Sequence, residues 1–215
     1  VSAQITAIEA QKHNPDRVNI HLDGAYAFSL STLQAYGLRV GQSLSPERIQ
    51  SLQDQEAYSR ALERALGWIA RRPHSAAEIR QKLKTAQVAD EISEAVLARL
   101  QELHYVDDRV FAQQWVKNRG EFHPRSKAHL RQELRQKGIA DEIISEALAE
   151  VDSGDVAYRA AKSKAARLRG QDRRAFQQGL GQFLARRGFA YETVQKVVDR
   201  LWEEGQAQTD EDNEN

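Results

Sequence analysis

Ile79-Arg80-Gln81-Lys82-Leu83 and Leu130-Arg131-Gln132-Glu133-Leu134 are two versions of one phrase, and Leu180-Gly181-Gln182-Phe183-Leu184 is a weaker third. The spacing is about 50 residues, the period expected of a repeat built from a small helical unit. The register persists downstream: Ile92, Val96, Leu97 and Leu100 align with Ile143, Ala147, Leu148 and Val151, and then with Thr193, Val197, Val198 and Leu201. Apolar positions three and four apart give each unit three amphipathic helices of roughly 11 to 16 residues. Nine helices in three units follow.

Boundary residues agree with this count. Ser75 with Glu78 has the spacing of a capping box, while Asp90, Asp107 and Asp141 precede helical runs. Gly138, Gly170 and Gly188 follow such runs, where a left-handed residue closes a helix. Gln87 stands where the other two repeats have Gly138 and Gly188, so the first repeat is expected to end its middle helix differently. Trp68, Trp115 and Trp202 sit among helical apolar positions and read as core side chains.

Upstream of Ser45 the periodicity changes to two. Val18, Ile20 and Leu22 alternate with polar neighbours, as do Tyr26, Phe28 and Leu30, and Asp23-Gly24 between them suits a two-residue hairpin. Ile5 to Lys12 adds a third strand. Ser45-Pro46-Glu47 announces a helix on which so small a sheet can pack. The expected architecture is therefore mainly α: three tandem three-helix repeats forming an elongated, curved array, preceded by a small N-terminal antiparallel β-sheet. The divisions are 1–45 for the strands, 46–56 for a connecting helix, 57–105, 106–152 and 153–205 for the repeats, and 206–215 for a disordered acidic tail.

The charge balance is zero only in sum. Six of the 31 acids lie in residues 203–215 with no base among them, which leaves residues 1–202 with an excess of six positive charges. Fields act within a Debye length of about 8–10 Å, so a basic body and an acidic end behave separately. The first repeat offers Arg71, Arg72, Arg80, Lys82 and Lys84, and the second offers Arg125, Lys127, Arg131, Arg135 and Lys137. In the third, Lys162, Lys164, Arg167, Arg169, Arg173, Arg174, Arg186 and Arg187 join Arg159 against one acid, Asp172. Single bases of this kind commonly only solvate a helix face. Nine over a short stretch repel one another without local relief, which points to a polyanion as partner. The acidic tail reads as a solubilising end.

Several chemistries are excluded or disfavoured. There is no cysteine, which removes disulfides, thiolate catalysis and cysteine-ligated zinc. None of His13, His21, His74, His104, His123 and His129 has a helical histidine partner with an intervening acid, and no phosphate-binding glycine loop ends in Gly-Lys-Ser/Thr. No catalytic constellation is legible and no cofactor is expected. No apolar run approaches the ~20 residues of a membrane span, and Val1 to Ala10 lacks an export pattern, so a cytoplasmic protein without a membrane partner is expected.

Tyr105-Val106-Asp107-Asp108-Arg109-Val110-Phe111-Ala112, Trp115-Val116, Arg119, Leu130-Arg131-Gln132-Glu133-Leu134 and Lys137-Gly138-Ile139 together resemble the signature of the bacterial RecX family. The resemblance covers the three repeats, and the N-terminal strands look like the extension of longer members. It implies a regulator of the RecA recombinase that lies in the groove of the RecA filament on single-stranded DNA; apart from the resemblance, a monomer is expected. Such a regulator suppresses ATP hydrolysis, strand exchange and co-protease activity by steric competition, without a cofactor. The contact role implied falls first on Arg125, Lys127, Arg131, Arg135 and Lys137, in or beside the signature, and then on the bases of the third repeat. The alternative reading is a helical module that binds DNA directly, without RecA.

Overall fold

The computed structural model describes residues 2–213, with side chains to residue 207. Among these, four short strands precede nine helices, and the fold is mainly α. Two compact units form: Val1–His74 with Ile79–Val106, and Ser75–Glu78 with Asp107–Asn215.

In the first unit, β1 (Ala3–Gln11), β2 (Asn14–Leu22), β3 (Ala25–Ser31) and β4 (Ser43–Leu44) make an antiparallel sheet of order β3-β2-β1-β4. The β2–β3 turn is the expected two-residue one, with φ of 50° at Asp23 and 85° at Gly24. A register shift after Ile20, which faces Phe28, sets Tyr26 opposite His21. One extra residue turns the side chains beyond it to the other face, so Tyr26 is exposed although the apolar alternation includes it. Ile5, Ile20, Leu30 and Leu44 are buried against Leu52 of helix α1 (Pro46–Ile69). The buried Glu56 on α1 pairs with Arg17 of β2 and accepts from the backbone N–H of Ser31 at 3.2 Å. Strand β4 is too short to show in the sequence.

Helix α1 spans Pro46–Ile69 without interruption, capped by Ser45 as expected. The connecting helix of 46–56 and the first helix of repeat one are thus a single helix. No breaker separates them, because the run Gln50 to Ala65 contains neither proline nor glycine. Helices α2 (Ala76–Thr85) and α3 (Asp90–Glu102) complete repeat one, α4 (Asp108–Phe122), α5 (Lys127–Gln136) and α6 (Asp141–Leu148) form repeat two, and α7 (Ser153–Ala166), α8 (Arg173–Ala185) and α9 (Tyr191–Asn213) form repeat three. Leu130, Leu134, Ile144 and Leu148 close the core of repeat two, and Ala157, Ala161, Phe176, Leu180, Leu184 and Val198 that of repeat three. Each fully buried large side chain stabilises by about 1.5–3 kcal/mol.

Two boundaries differ from the sequence reading. Asp107 caps α4 through the N–H groups of Arg109 and Val110, but Asp90 and Asp141 lie inside the first turns, behind uncapped Ala89 and Ala140. There their charges favour the helix N-terminus instead of capping it. The backbone of α9 continues to Asn213 through the segment expected to be disordered, propagating from a helix nucleated by the packing of Val194, Val197, Val198 and Leu201. The side chains of 208–215 lie outside the described residues.

The middle helices end alike. Val88 N–H donates to the Leu83 carbonyl at 3.1 Å, Ile139 to Leu134 at 3.1 Å, and Phe189 to Leu184 at 3.3 Å. The residue before each has positive φ: 57° at Gln87, 74° at Gly138 and 77° at Gly188. The expected difference at Gln87 is not found. What differs is the surroundings, for within the second unit each glycine turn docks on the first turn of the preceding middle helix. Ser75 Oγ donates to the Lys137 carbonyl at 2.6 Å, and Ser126 N–H donates to the Arg187 carbonyl at 3.2 Å. Gln87 belongs to the first repeat, which has no predecessor to dock on, and its side chain is exposed. In repeat three the equivalent of Ser75 and Ser126 is the buried Phe176, over which an additional turn from Arg173 extends α8. No further turn can be received there.

Candidate nucleic-acid interface

Helix α7 buries Val156, Ala157, Ala161 and Ala165, and the helical period then places Arg159, Ser163 and Arg167 in a row on another face, with Lys164 beside them. Two other elements complete a groove along this row. The C-terminal end of α4 supplies Gly120, Glu121 and Phe122, followed by Pro124, and the end of α8 supplies Phe183 and Arg187. The groove is open and encloses about 570 Å³. Among the described residues, none of Arg159, Lys164, Arg167 and Arg187 forms an ion pair, so four cations face one acid, Glu121. Phe122 is 72% exposed on the rim.

Arg187 sits at one end of this groove. Its guanidinium lies 3.8 Å from the centroid of Phe183. Partial burial holds its pKa below the ordinary arginine value, and the neighbouring positive charges of Arg125 and Arg186 act in the same direction. Arg125 and Arg186 are near enough to act on Arg187, and none of the three forms an ion pair among the described residues. An anion beside them removes the repulsion.

The other bases divide by their partners. Arg80 holds Glu94 through two bonds of 2.5 and 2.9 Å, and Arg135 holds Asp141 through bonds of 2.7 and 3.1 Å. These guanidiniums keep Glu94 and Asp141 below the usual carboxylate range. Lys137 bonds Glu78 at 2.7 Å and lies 5.2 Å from the Trp115 ring, whose N–H donates to Glu133 at 2.8 Å. It is a joint residue more than a free cation. Lys82 stands over Trp68 at 5.0 Å, Arg72 donates to the Pro73 carbonyl at 2.8 Å, and Arg173 lies 3.8 Å from Asp199. Lys162 and Arg169 line a separate pocket with Trp202, while Arg71, Lys84 and Arg174 are exposed. Arg125, Lys127 and Arg131 are half-buried without ion pairs among the described residues. The three tryptophans are half-buried, and Trp115 and Trp202 pack against the cores of their repeats, in ring contact with Phe111 and Phe176 as the core reading expects.

Phe122 and Phe183 are the site residues that composition does not disclose. Nothing in their spacing separates them from core positions. Only the break at His123-Pro124 hints that Phe122 ends its helix in solvent. Among the described residues, no three His, Asp or Glu side chains are placed to hold a metal, and no helix is long and apolar enough to cross a membrane.

Residues 3–45 match the family described as regulatory protein RecX N-terminal domain, and 61–100, 107–148 and 151–198 match the first, second and third RecX three-helix domains. The chain belongs to the RecX family. The regulatory protein RecX of Leuconostoc mesenteroides is 30% identical over 92% of this chain and 76% of its own. That of Bacillus licheniformis is 33% identical over 90% of this chain and 76% of its own. A solved crystal structure of regulatory protein RecX superposes with a TM-score of 0.68 at 29% identity, covering 92% of this chain and 99% of that one. These RecX relatives are named as regulators.

Proposed function

We propose that the chain regulates the RecA recombinase by binding its filament on single-stranded DNA, slowing ATP hydrolysis, strand exchange and co-protease activity. Membership of the RecX family supports a regulatory role. The observation that carries the polyanion-bearing partner is the groove in which Arg159, Lys164, Arg167 and Arg187 stand without an ion pair among the described residues, with Arg125 and Arg186 adding their positive charge beside Arg187. A filament coated on nucleic acid offers phosphates to such a groove, and several weak contacts add through effective concentration. The contact surface is assigned to Arg125, Lys127 and Arg131 with Arg186 and Arg187, and less to Arg80, Arg135 and Lys137, whose charges are already satisfied within the chain. The mechanism is competitive occupancy and uses no cofactor.

The test is RecA-dependent ATP hydrolysis on single-stranded DNA during titration with this protein. Inhibition below stoichiometric amounts, lost in a folded Arg125→Glu/Arg187→Glu variant, is expected. Undiminished hydrolysis at molar excess overturns the reading.

A further inference from the structure

We infer that the groove between α4, α7 and α8 is a direct, RecA-independent site for single-stranded nucleic acid, in which Phe122 is a platform for an unpaired base. This deepens the reading above by naming a ligand of the basic face; it shares the polyanion argument but not the participation of RecA.

Three features converge on that ligand class. The first is charge: Arg159, Lys164, Arg167 and Arg187 line the groove with no ion pair among the described residues. Arg159 and Arg167 are two helical turns apart on α7, about 12 Å along the axis, so they can hold phosphates of an extended backbone in succession.

The second is the aromatic. Phe122 lines the same groove and leaves 72% of its surface in water, an arrangement that costs apolar exposure and contributes no core packing. Phe183, by contrast, is half-buried and carries the Arg187 guanidinium on its face at 3.8 Å, so it fixes a cation. Only Phe122 offers a free ring.

The third is shape. The groove is open and of about 570 Å³, room for a splayed nucleotide beside the strand it belongs to. A duplex keeps its base faces stacked on each other, so it can use the cations but not Phe122. The combination of backbone-tracking charge and a stacking ring is how proteins hold single strands without reading their sequence. Preference for a single strand over a duplex then rests on Phe122, and affinity rests on the cations.

Binding is measured by fluorescence anisotropy with labelled oligothymidylate, an abasic strand of equal length, and a duplex, all without RecA. Phe122→Ala is expected to weaken oligothymidylate binding about tenfold, to the level of the abasic strand, and to leave the abasic strand and duplex unchanged. Arg159→Glu/Arg167→Glu is expected to weaken all three and to flatten the salt dependence by about 1.4 units of log–log slope for the single strands and about 1.8 for the duplex. Circular dichroism establishes that each variant is folded. Equal affinity of wild type and Phe122→Ala for oligothymidylate overturns the stacking platform, and undiminished binding by the double charge reversal overturns the groove. Loss of ATPase regulation with intact anisotropy would instead refute only the RecA reading.

Discussion

A Cβ placed on Gly138 would stand 2.3 Å from the Cβ of Ala77, the second residue of α2. Gly188 has the same relation to the start of α5, the middle helix that precedes its own, where a Cβ would meet His129 Nδ1 at 2.1 Å and Ser126 Oγ at 2.8 Å. Two requirements thus coincide at these positions, a left-handed backbone and the absence of a side chain. Gly170 has φ of 84° but open space around it.

Gly138→Ala and Gly170→Ala therefore separate the two costs. The strain of positive φ, about 1–2 kcal/mol, applies to both, while overpacking adds about 1–3 kcal/mol only at Gly138. Urea unfolding is expected to rank Gly138→Ala below Gly170→Ala. Gln87→Gly is expected to be neutral or stabilising, because the same turn there is strained and unpacked.

Ser75→Ala removes both a capping oxygen and the donor to the Lys137 carbonyl. The cap is worth about 1 kcal/mol, and leaving the half-buried Lys137 carbonyl without its donor costs about 1–2 kcal/mol. A loss of about 2–3 kcal/mol in chemical denaturation is expected, against a much smaller loss for an exposed residue such as Ser145. Equal losses would place the joint elsewhere.

Arg135→Ala and Arg187→Ala are expected to differ in regulation although both remove one arginine. Arg135 is already neutralised by Asp141, so RecA-dependent hydrolysis should be inhibited nearly as by wild type. Arg187→Ala takes a cation that has no ion pair among the described residues, and the inhibitory concentration should rise several-fold. The opposite order in the ATPase titration would move the contact surface onto the signature helix α5.

Asp152 supplies a pH test. Its carboxylate accepts from the N–H groups of Asp155 and Gly154 at the start of α7, which holds its pKa below the ordinary value. A depressed carboxyl stabilises the fold above its unfolded pKa, near 4, and that contribution disappears as pH falls through the lower folded value. Asp152→Asn keeps a capping oxygen but cannot titrate. The difference in melting temperature between wild type and Asp152→Asn should shrink as pH is lowered from 6 toward 3; a constant difference would show that the charge contributes nothing.

The local rules of this chain are written in its sequence. The phrase Ile/Leu-x-x-x-Leu, repeated at Ile79, Leu130 and Leu180, establishes three helical units because apolar side chains recurring each turn must be buried on one side. Ser45, Ser75 with Glu78, Asp107 and Asp23-Gly24 specify their caps and turn because those depend only on neighbours within a few residues. What required the tertiary structure is everything set by distant partners. Gly138 and Gly188 differ from Gln87 because of the helix start each one meets, not because of the turn each one makes. Arg135 and Lys137 look like free cations beside Arg125 and Arg187 until Asp141 and Glu78 are brought against them. Phe122 reads as one more apolar residue until α7 and α8 place four cations around it and water against its ring. Charge and hydropathy belong to residues; pairing and exposure belong to the packing, since they depend on which elements the chain folds together.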